Sequence, residues 1–193
     1  MQVIGITGGT GCGKTTLLKL IAEQGGLILD CDAIYHELLA TDNNLLDAIE
    51  ARFPGTVENG VLDRKKLGNL VFSDENALSD LNRITHSAVK AEVLRLLETA
   101  PKHTAIDAIG LFEGGLGELC QVTVAVIAPE EDRIRRLMQR DGISRDYALS
   151  RIRAQHPDSW FREKCTHCLE NRGTISEFRS QCLAFLQEIG IIE

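Results

Sequence analysis

The residues most able to do chemistry lie near the amino terminus. Residues 8–15 read G-G-T-G-C-G-K-T and match the pattern G-x-x-x-x-G-K-[ST] in full. The glycines let successive backbone N–H groups point inward, where they can hold a polyphosphate. The lysine would reach the outer phosphates, and the threonine after it would offer its hydroxyl to Mg²⁺. The segment predicts a nucleotide-binding loop, called the P-loop below, whose expected contacts come from Gly9, Thr10, Gly11, Cys12, Gly13, Lys14, Thr15 and the adjoining Thr16.

Of two carboxylates, Asp30 lies within the next apolar run, residues 27–31, which is typical of a second strand, and Asp32 follows that run directly. In open α/β sheets, ligands bind at the carboxyl ends of strands, so both should face the same crevice as the P-loop. If the strand continues through Asp32, alternation places both carboxylates on one side. A carboxylate there could orient or deprotonate an acceptor hydroxyl. The alternative is that Asp32 caps the helix over residues 33–39, and the two roles are compatible.

Phosphoryl transfer depends on positioning and charge neutralisation, so cations beyond Lys14 are expected. Four arginines fall on the helix that Pro129 begins, and four follow: Arg133, Arg135, Arg136, Arg140, Arg145, Arg151, Arg153 and Arg162. Such a segment in an acidic chain is typical of a mobile lid over a nucleotide. The alternative is a solvated face that pairs with the neighbouring acids Glu130, Glu131, Asp132 and Asp141.

Hydrophobic spacing predicts the elements that position these residues. A strand over residues 3–7, a helix over 14–23 and a strand over 27–31 form a βαβ unit, which implies a parallel sheet. Residues 33–100 are helical in pattern, with Asp63 capping residues 64–72 and Ser73 or Asp74 capping a long helix to about Glu98. Further strands are expected at residues 104–109, 122–127 and 165–169. Further helices are expected from Pro129 to Arg140, from Ser144 to Ala154, and from Thr174 or Ser176.

Composition narrows the function classes. The chain has 193 residues, 44% of them hydrophobic, which suits one globular domain with a sizeable core. A net charge of −7 argues against nucleic acid as the main partner. We find neither an apolar stretch of membrane-spanning length nor the zones of a signal peptide, so a cytoplasmic protein is expected.

Six cysteines without a secretion signal are expected to be free thiols. Cys165 and Cys168 form a lone C-x-x-C, with His156 and His167 nearby. A zinc site needs four suitably spaced ligands, so simple packing near a strand is the favoured interpretation over a metal site.

P-loop proteins include switches, motors and small-molecule kinases. The guanine-reading N-K-x-D of a GTPase does not occur in this sequence. A motor usually has a larger core with partner-facing insertions. A small-molecule kinase needs a carboxylate near the loop, which Asp30 or Asp32 would supply.

An ordered set of segments resembles the dephospho-CoA kinase family over nearly the whole chain. Besides residues 4–16, these segments are residues 29–34 (L-D-C-D-A-I), 59–68 (N-G-V-L-D-R-K-K-L-G), 84–86 (I-T-H), 107–115, 140–142 (R-D-G) and 171–173 (N-R-G). The P-loop alone is generic, whereas the ordered set is specific. The resemblance implies transfer of phosphate from ATP, with Mg²⁺, to the ribose 3′-hydroxyl of dephospho-CoA, giving CoA.

Carried over by position, the resemblance implies Asp32 as general base and Arg140 as a phosphate contact on closure. Asn171 and Gly173 would lie by the adenine. Magnesium would bind Thr15, with Asp30 or Asp107 as a second ligand. The acceptor side would be formed by Arg64, His86, Phe112, Glu113 and Gly114.

The fold expected is α/β, a three-layer P-loop kinase with a central, mainly parallel five-stranded sheet, a helical substrate subdomain and a lid. The core would span residues 1–32, 101–130 and 164–193, the acceptor-binding subdomain about 33–100, and the lid about 138–163. The expected partners are ATP and dephospho-CoA, in a monomer or small homo-oligomer. The alternatives are another P-loop kinase acting on a nucleotide or sugar, and a non-catalytic nucleotide-binding protein.

Overall fold

A computed structural model describes residues 1–192 of the chain and contains a five-stranded sheet. Its strands are β1 (Gln2–Thr7), β2 (Leu27–Asp30), β5 (His103–Asp107), β6 (Val122–Ile127) and β7 (His167–Glu170), and their order across the sheet is β2-β5-β1-β6-β7. The pairs β1–β5, β1–β6 and β6–β7 are parallel. The predicted parallel five-stranded sheet is therefore confirmed.

Helices join these strands. They are α1 (Lys14–Glu23), α2 (Cys31–Thr41), α3 (Asn43–Arg52), α4 (Arg64–Val71), α5 (Glu75–Leu97), α6 (Glu130–Asp141), α7 (Arg145–Arg153), α8 (Asp158–Lys164) and α9 (Ile175–Glu188). The chain divides into two compact units. The first, called the sheet unit, comprises residues 1–29, 100–112 and those from Leu116 onward; the second, called the helical unit, comprises residues 30–99 and 113–115. The boundaries expected for core, subdomain and lid stay predictions.

The core of the sheet unit is a continuous apolar layer. All residues of β1 and β6 except the first of each are buried, as in parallel strands covered on both faces. Apolar side chains of α1 and α9 pack against them, and the cluster includes Ile4, Ile6, Leu17, Leu20, Phe178 and Phe185. This packing fixes the carboxyl end of β1, where the P-loop begins.

The core of the helical unit is formed by α2, α3 and α4 against the long helix α5. Its buried side chains include Leu45, Ile49, Phe53, Leu67 and Val71. A short antiparallel hairpin, β3 (Val57–Glu58) with β4 (Val61–Leu62), lies between α3 and α4. The expectation that residues 33–100 are helical throughout is wrong at this hairpin.

The hairpin has a local cause. Asn59 and Gly60 both have positive φ values, 52° and 74°, as a two-residue loop between antiparallel strands requires. The Asn-Gly pair is the strongest short hairpin signal in a sequence, so the hairpin could have been predicted from residues 59 and 60.

The second strand is shorter than expected. It ends at Asp30, and α2 begins at Cys31. The Oδ1 atom of Asp30 accepts hydrogen bonds from the backbone N–H groups of Asp32 and Ala33, each at 3.0 Å. The carboxylate thereby satisfies two otherwise unpaired amides at the helix start, which favours the helix over further strand. The expectation that strand alternation aligns Asp30 with Asp32 is therefore wrong, and Asp30, rather than Asp32, is the cap.

Other helix starts agree with the sequence. Side chains of Asp63, Asp74, Ser144 and Thr174 accept hydrogen bonds at the N-caps of α4, α5, α7 and α9. The sequence did not predict α8. Pro157 lies after the end of α7, and it is also the N-cap residue of α8. Its missing N–H does not weaken α8, because an N–H at that position has no partner within the helix. Within residues 1–192, no helix has both the length and the apolar content to cross a bilayer.

We expect Thr174→Ala to lower the free energy of unfolding by about 1 kcal/mol, the usual cost of a lost N-cap. The hydroxyl of Thr174 accepts from the N–H of Glu177, and the Glu177 carboxylate accepts from the N–H of Thr174, forming a capping box. Urea denaturation followed by circular dichroism measures the change. Thr174→Ser, which keeps the hydroxyl, is the control, and equal stability of both variants would contradict the assignment.

Candidate functional site

The P-loop connects β1 to α1, and its carbonyl groups are bound by arginines of α6. The Nε atom of Arg133 donates to the carbonyl of Thr10 at 2.9 Å. The Nη1 atom of Arg136 donates to the carbonyl of Gly11 at 3.1 Å. Arg133 is only 5% exposed, and Arg136 is half-buried. Two guanidinium groups therefore hold the side of the loop that faces α6.

Asn171, which follows β7, binds the next carbonyl. Its Nδ2 atom donates to the carbonyl of Cys12 at 2.9 Å, while its backbone N–H donates to Ile127 at 2.8 Å. Gly13 has φ 96°, and a Cβ atom there would lie 2.4 Å from the same Nδ2 atom. This position therefore accepts only glycine. Gly173 lies two residues beyond Asn171, in the connection to α9.

The bound carbonyls fix the direction of the loop's amides. In a trans peptide the N–H group points opposite to the C=O group, so the N–H groups of Gly11, Cys12 and Gly13 face away from α6 and Asn171. The N–H of Cys12 closes a turn on the carbonyl of Gly9 at 3.2 Å. The amides of Gly11 and Gly13, together with the positive end of α1, form a concave anion-binding surface.

Lys14 and Asp107 form an ion pair at the end of the P-loop. The Nζ atom of Lys14 donates to the carbonyl of Gly8 at 3.2 Å and lies 3.7 Å from Oδ1 of Asp107, the last residue of β5. Thr15 and Thr16 lie in the first turn of α1, with Thr15 exposed. A hydroxyl and a buried carboxylate oxygen are hard donors, and Mg²⁺ commonly binds one or two such protein groups plus phosphates and water. The residues present therefore fit a magnesium ion held by Thr15 and Asp107.

Most other arginines of this region pair with acidic side chains. Arg140 donates two hydrogen bonds to Asp141, at 2.6 and 2.9 Å, and Arg151 donates a third at 2.8 Å. Hydrogen bonds from Arg140, then Arg151, lower the pKa of Asp141 to about 2. Arg135 pairs with Asp132, and Arg145 with Glu131. The solvated-face alternative describes these arginines, whereas Arg133 and Arg136 bind the P-loop.

Three of the expected acceptor residues line one pocket of the helical unit. His86, Glu113 and Gly114 border a cavity of about 650 Å³ along α5. The same cavity is lined by the cations Lys90 and Arg83 and by the carboxylates of Glu75 and Glu113, so it carries charges of both signs.

Arg64 and Asp32 lie elsewhere in the helical unit. The Nη2 atom of Arg64 is 3.4 Å from Nδ1 of His36, and both border a smaller cavity of about 330 Å³. Asp32 is exposed in the first turn of α2. Tyr35 lies on the same helix, three residues after Asp32, and burial raises the pKa of its hydroxyl.

Phe112 belongs to the sheet unit and packs against aromatic residues of the predicted lid. The Trp160 and Phe112 rings meet edge to face at 5.7 Å, and the His156 ring stacks flat on Trp160 at 4.0 Å. Phe161, which is buried, meets Trp160 edge-on at 5.2 Å. Phe112 is therefore part of an aromatic cluster of the sheet unit, and it does not line the 650 Å³ cavity.

The thiols of Cys12, Cys31 and Cys182 are buried, and those of Cys120, Cys165 and Cys168 are partly buried. Burial raises the pKa of Cys120 to about 12 and that of Cys165 to about 11, and it also raises the pKa of Cys12. Cys165 and Cys168 pack against Ala125, Ile127 and Phe161. In the described part of the chain, no three metal-ligating side chains come together.

Comparison with known proteins decides the family. The family model described as dephospho-CoA kinase matches residues 2–177. The chain belongs to the dephospho-CoA kinase family. The resemblance predicted from the sequence is thereby confirmed.

Individual relatives in the dephospho-CoA kinase family support the assignment. A dephospho-CoA kinase from Carboxydothermus hydrogenoformans is 34% identical, with 97% of this chain and 94% of the relative covered. One from Thermus thermophilus is 36% identical, with 97% and 91% covered.

Solved structures agree on the fold. A Thermus thermophilus crystal structure matches with a TM-score of 0.80 at 36% identity, covering 97% of each chain. The dephospho-CoA kinase from Campylobacter jejuni matches with 0.70 at 26% identity, covering 98% of each. A shikimate kinase from Acinetobacter baumannii, at 20% identity and a TM-score of 0.57, shares the fold.

In this dephospho-CoA kinase family member, sequence reasoning missed the residues behind the P-loop. The sequence groups Arg133 and Arg136 with the arginines of the expected lid, and it gives no indication of the contact between Gln155 and the P-loop. One signal was present: Arg133 lies one helical turn before Leu137 and next to Ile134, both buried. An arginine on an apolar helix face is a candidate for burial and therefore for a specific partner.

We expect Gly13→Ala to weaken MgATP binding by at least about tenfold, or ~1.4 kcal/mol, because the methyl group collides with Asn171 and distorts the anion-binding surface. Isothermal titration calorimetry measures the affinity. Gly142→Ala is a matched control, since Gly142 also has a positive φ, 65°, but has no atom within 4 Å of the added Cβ. Unchanged affinity in Gly13→Ala would contradict the described cradle.

Proposed function

We propose that this protein transfers the γ-phosphate of ATP to the 3′-hydroxyl of dephospho-CoA, forming CoA in the final step of its synthesis. The observation that carries the proposal is the match of the dephospho-CoA kinase family over residues 2–177, which includes an intact P-loop lysine. The inward amides of Gly11 and Gly13, whose peptide carbonyls are bound by Arg133 and Asn171, supply with the ammonium of Lys14 a site for the phosphates.

The phosphate-binding groups stabilise charge during transfer. The N–H groups of the P-loop and the positive end of α1 oppose the negative charge that spreads over the transferred group. When bound, Mg²⁺ neutralises charge on the outer phosphates, and Thr15 and Asp107 are the residues we assign to hold it. The ammonium group of Lys14 lies beside Asp107 and donates a hydrogen bond to the carbonyl of Gly8. When ATP binds, the same ammonium group can donate to a phosphate oxygen instead of that carbonyl.

Asp32 is proposed as the general base. Its assignment is supported by the resemblance of residues 29–34 to the family and by its exposed place in the first turn of α2. The ribose oxygen forms a bond to the γ-phosphorus while the bond between that phosphorus and the β–γ bridging oxygen breaks. ADP leaves, and the hydroxyl proton passes to Asp32.

The acceptor is assigned to the helical unit. Arg83 and Lys90 line the cavity along α5 with His86 and Glu113, which suits the phosphates of dephospho-CoA. Arg64, beside His36, is a further cation that we assign to the same acceptor. The roles of Asn171 and Gly173 toward adenine, the cytoplasmic location and the assembly state stay predictions.

A coupled assay of ADP release tests the function directly. With ATP, Mg²⁺ and dephospho-CoA we expect turnover, and mass spectrometry should show a product heavier by one phosphate. A panel of nucleoside monophosphates and a sugar serves as comparison. Faster turnover on any of these than on dephospho-CoA would overturn the assigned acceptor, and MgATP binding without transfer to any acceptor would indicate a non-catalytic protein.

We expect Asp32→Asn to reduce kcat by roughly 10² or more while leaving MgATP affinity unchanged, since the amide cannot take the proton. Steady-state kinetics and calorimetry provide the two measurements. Asp47→Asn, an exposed aspartate on α3, controls for loss of a negative charge in the same unit. Full turnover by Asp32→Asn would remove the base assignment.

A further inference from the structure

Both backbone groups of Thr10 are bound by side chains distant in sequence. Its N–H donates to Oε1 of Gln155 at 2.8 Å, and its carbonyl accepts from Nε of Arg133 at 2.9 Å. Thr10 is itself buried, so neither group could be left without a partner at low cost. The conformation of the P-loop at Thr10 therefore depends on these two residues.

The guanidinium of Arg133 joins the two contacts into one network. Its Nη2 atom donates to Oε1 of Gln155 at 3.3 Å, and its Nη1 atom lies 3.5 Å from Oδ1 of Asp158. A buried cation is stable only when paired and hydrogen-bonded, and these contacts meet that need. Oε1 of Gln155 thus accepts from two donors at once, and the side chain has one working orientation.

The network is in direct contact with the loop backbone. A Cβ atom added to Gly9 would lie 2.1 Å from Nη2 of Arg133 and 3.0 Å from Oε1 of Gln155. The polar side-chain atoms therefore occupy the space that a side chain at Gly9 would need. They hold the peptide between Gly9 and Thr10 with its N–H away from the anion-binding surface.

Gln155 belongs to the connection between α7 and α8, the middle of the predicted lid. Its backbone N–H donates to the carbonyl of Ile152 at 3.2 Å, which ties it to the end of α7. Asp158, the other partner of Arg133, is the first residue of α8. A displacement of this connection must either carry the P-loop with it or break the bond to Thr10.

We propose that Gln155 is a positioning residue for nucleotide binding, which with Arg133 fixes the P-loop at Thr10 and links it to the α7–α8 connection. Neither side chain is assigned a contact with the substrates; each acts through the backbone of the loop. The inference rests on the proposed function only in that the P-loop binds the phosphates of ATP.

Gln155→Leu removes the acceptor while keeping similar volume, and Gln155→Glu keeps an oxygen acceptor for both donors. We expect the leucine variant to weaken MgATP binding by about tenfold, the scale of one lost oriented contact, with the KM for dephospho-CoA unchanged. The glutamate variant should restore most of the affinity. Gln139→Leu, an exposed glutamine on α6, is the matched control.

Two measurements separate positioning from a purely structural role. Calorimetry with MgATP is performed well below the melting temperature of each variant, so that all are folded. Amide hydrogen exchange followed by NMR reports the Thr10 N–H directly, and it should exchange faster in the leucine variant than in the wild type or the glutamate variant.

Wild-type MgATP affinity in Gln155→Leu would overturn the inference, whether or not its stability falls. Unchanged protection of the Thr10 amide would overturn it as well. Absence of MgATP binding by the wild-type protein would instead count against the proposed function. Binding that is normal in the wild type and weakened only in the leucine variant would support the inference even if dephospho-CoA proved to be the wrong acceptor.

Discussion

Backbone amides are held toward a triphosphate when protein groups bind the carbonyls of the same peptides on the opposite side. In this chain those carbonyls are bound by Arg133, Arg136 and Asn171, which come from α6 and the end of β7. The parallel order β1-β6-β7 brings the segments after β6 and β7 beside the loop that follows β1. The sheet topology and the direction of the loop's amides are therefore parts of one constraint.

The arginines of α6 show how an acidic chain distributes its cations. Arg133 is held in the interior because the carbonyl of Thr10, the side chain of Gln155 and the carboxylate of Asp158 surround its guanidinium. Arg140, by contrast, shares the carboxylate of Asp141 with Arg151. Because Asp141 would keep one partner, Arg140 can exchange its carboxylate for a phosphate without leaving an isolated anion.

The parallel sheet, the P-loop and the helix caps could be predicted from the sequence because each depends on local spacing or on a motif. The end of β2 could not be fixed by alternation, since the competing cap at Asp30 is decided by which N–H groups its carboxylate reaches. The contacts of Arg133 and Gln155 with Thr10 could not be predicted either, because these two residues lie 123 and 145 positions from Thr10 in the sequence. Contacts of that kind follow from the tertiary fold.

The aromatic stack around Trp160 has a practical consequence, because this residue is the single tryptophan of the chain. Its indole contacts Phe112, which immediately precedes Glu113 in sequence, and His156, which lies next to Gln155 in sequence. Fluorescence excited selectively in tryptophan therefore arises from one known position. Without any added dye, the emission of the native protein should register rearrangements of α8 as ligands enter.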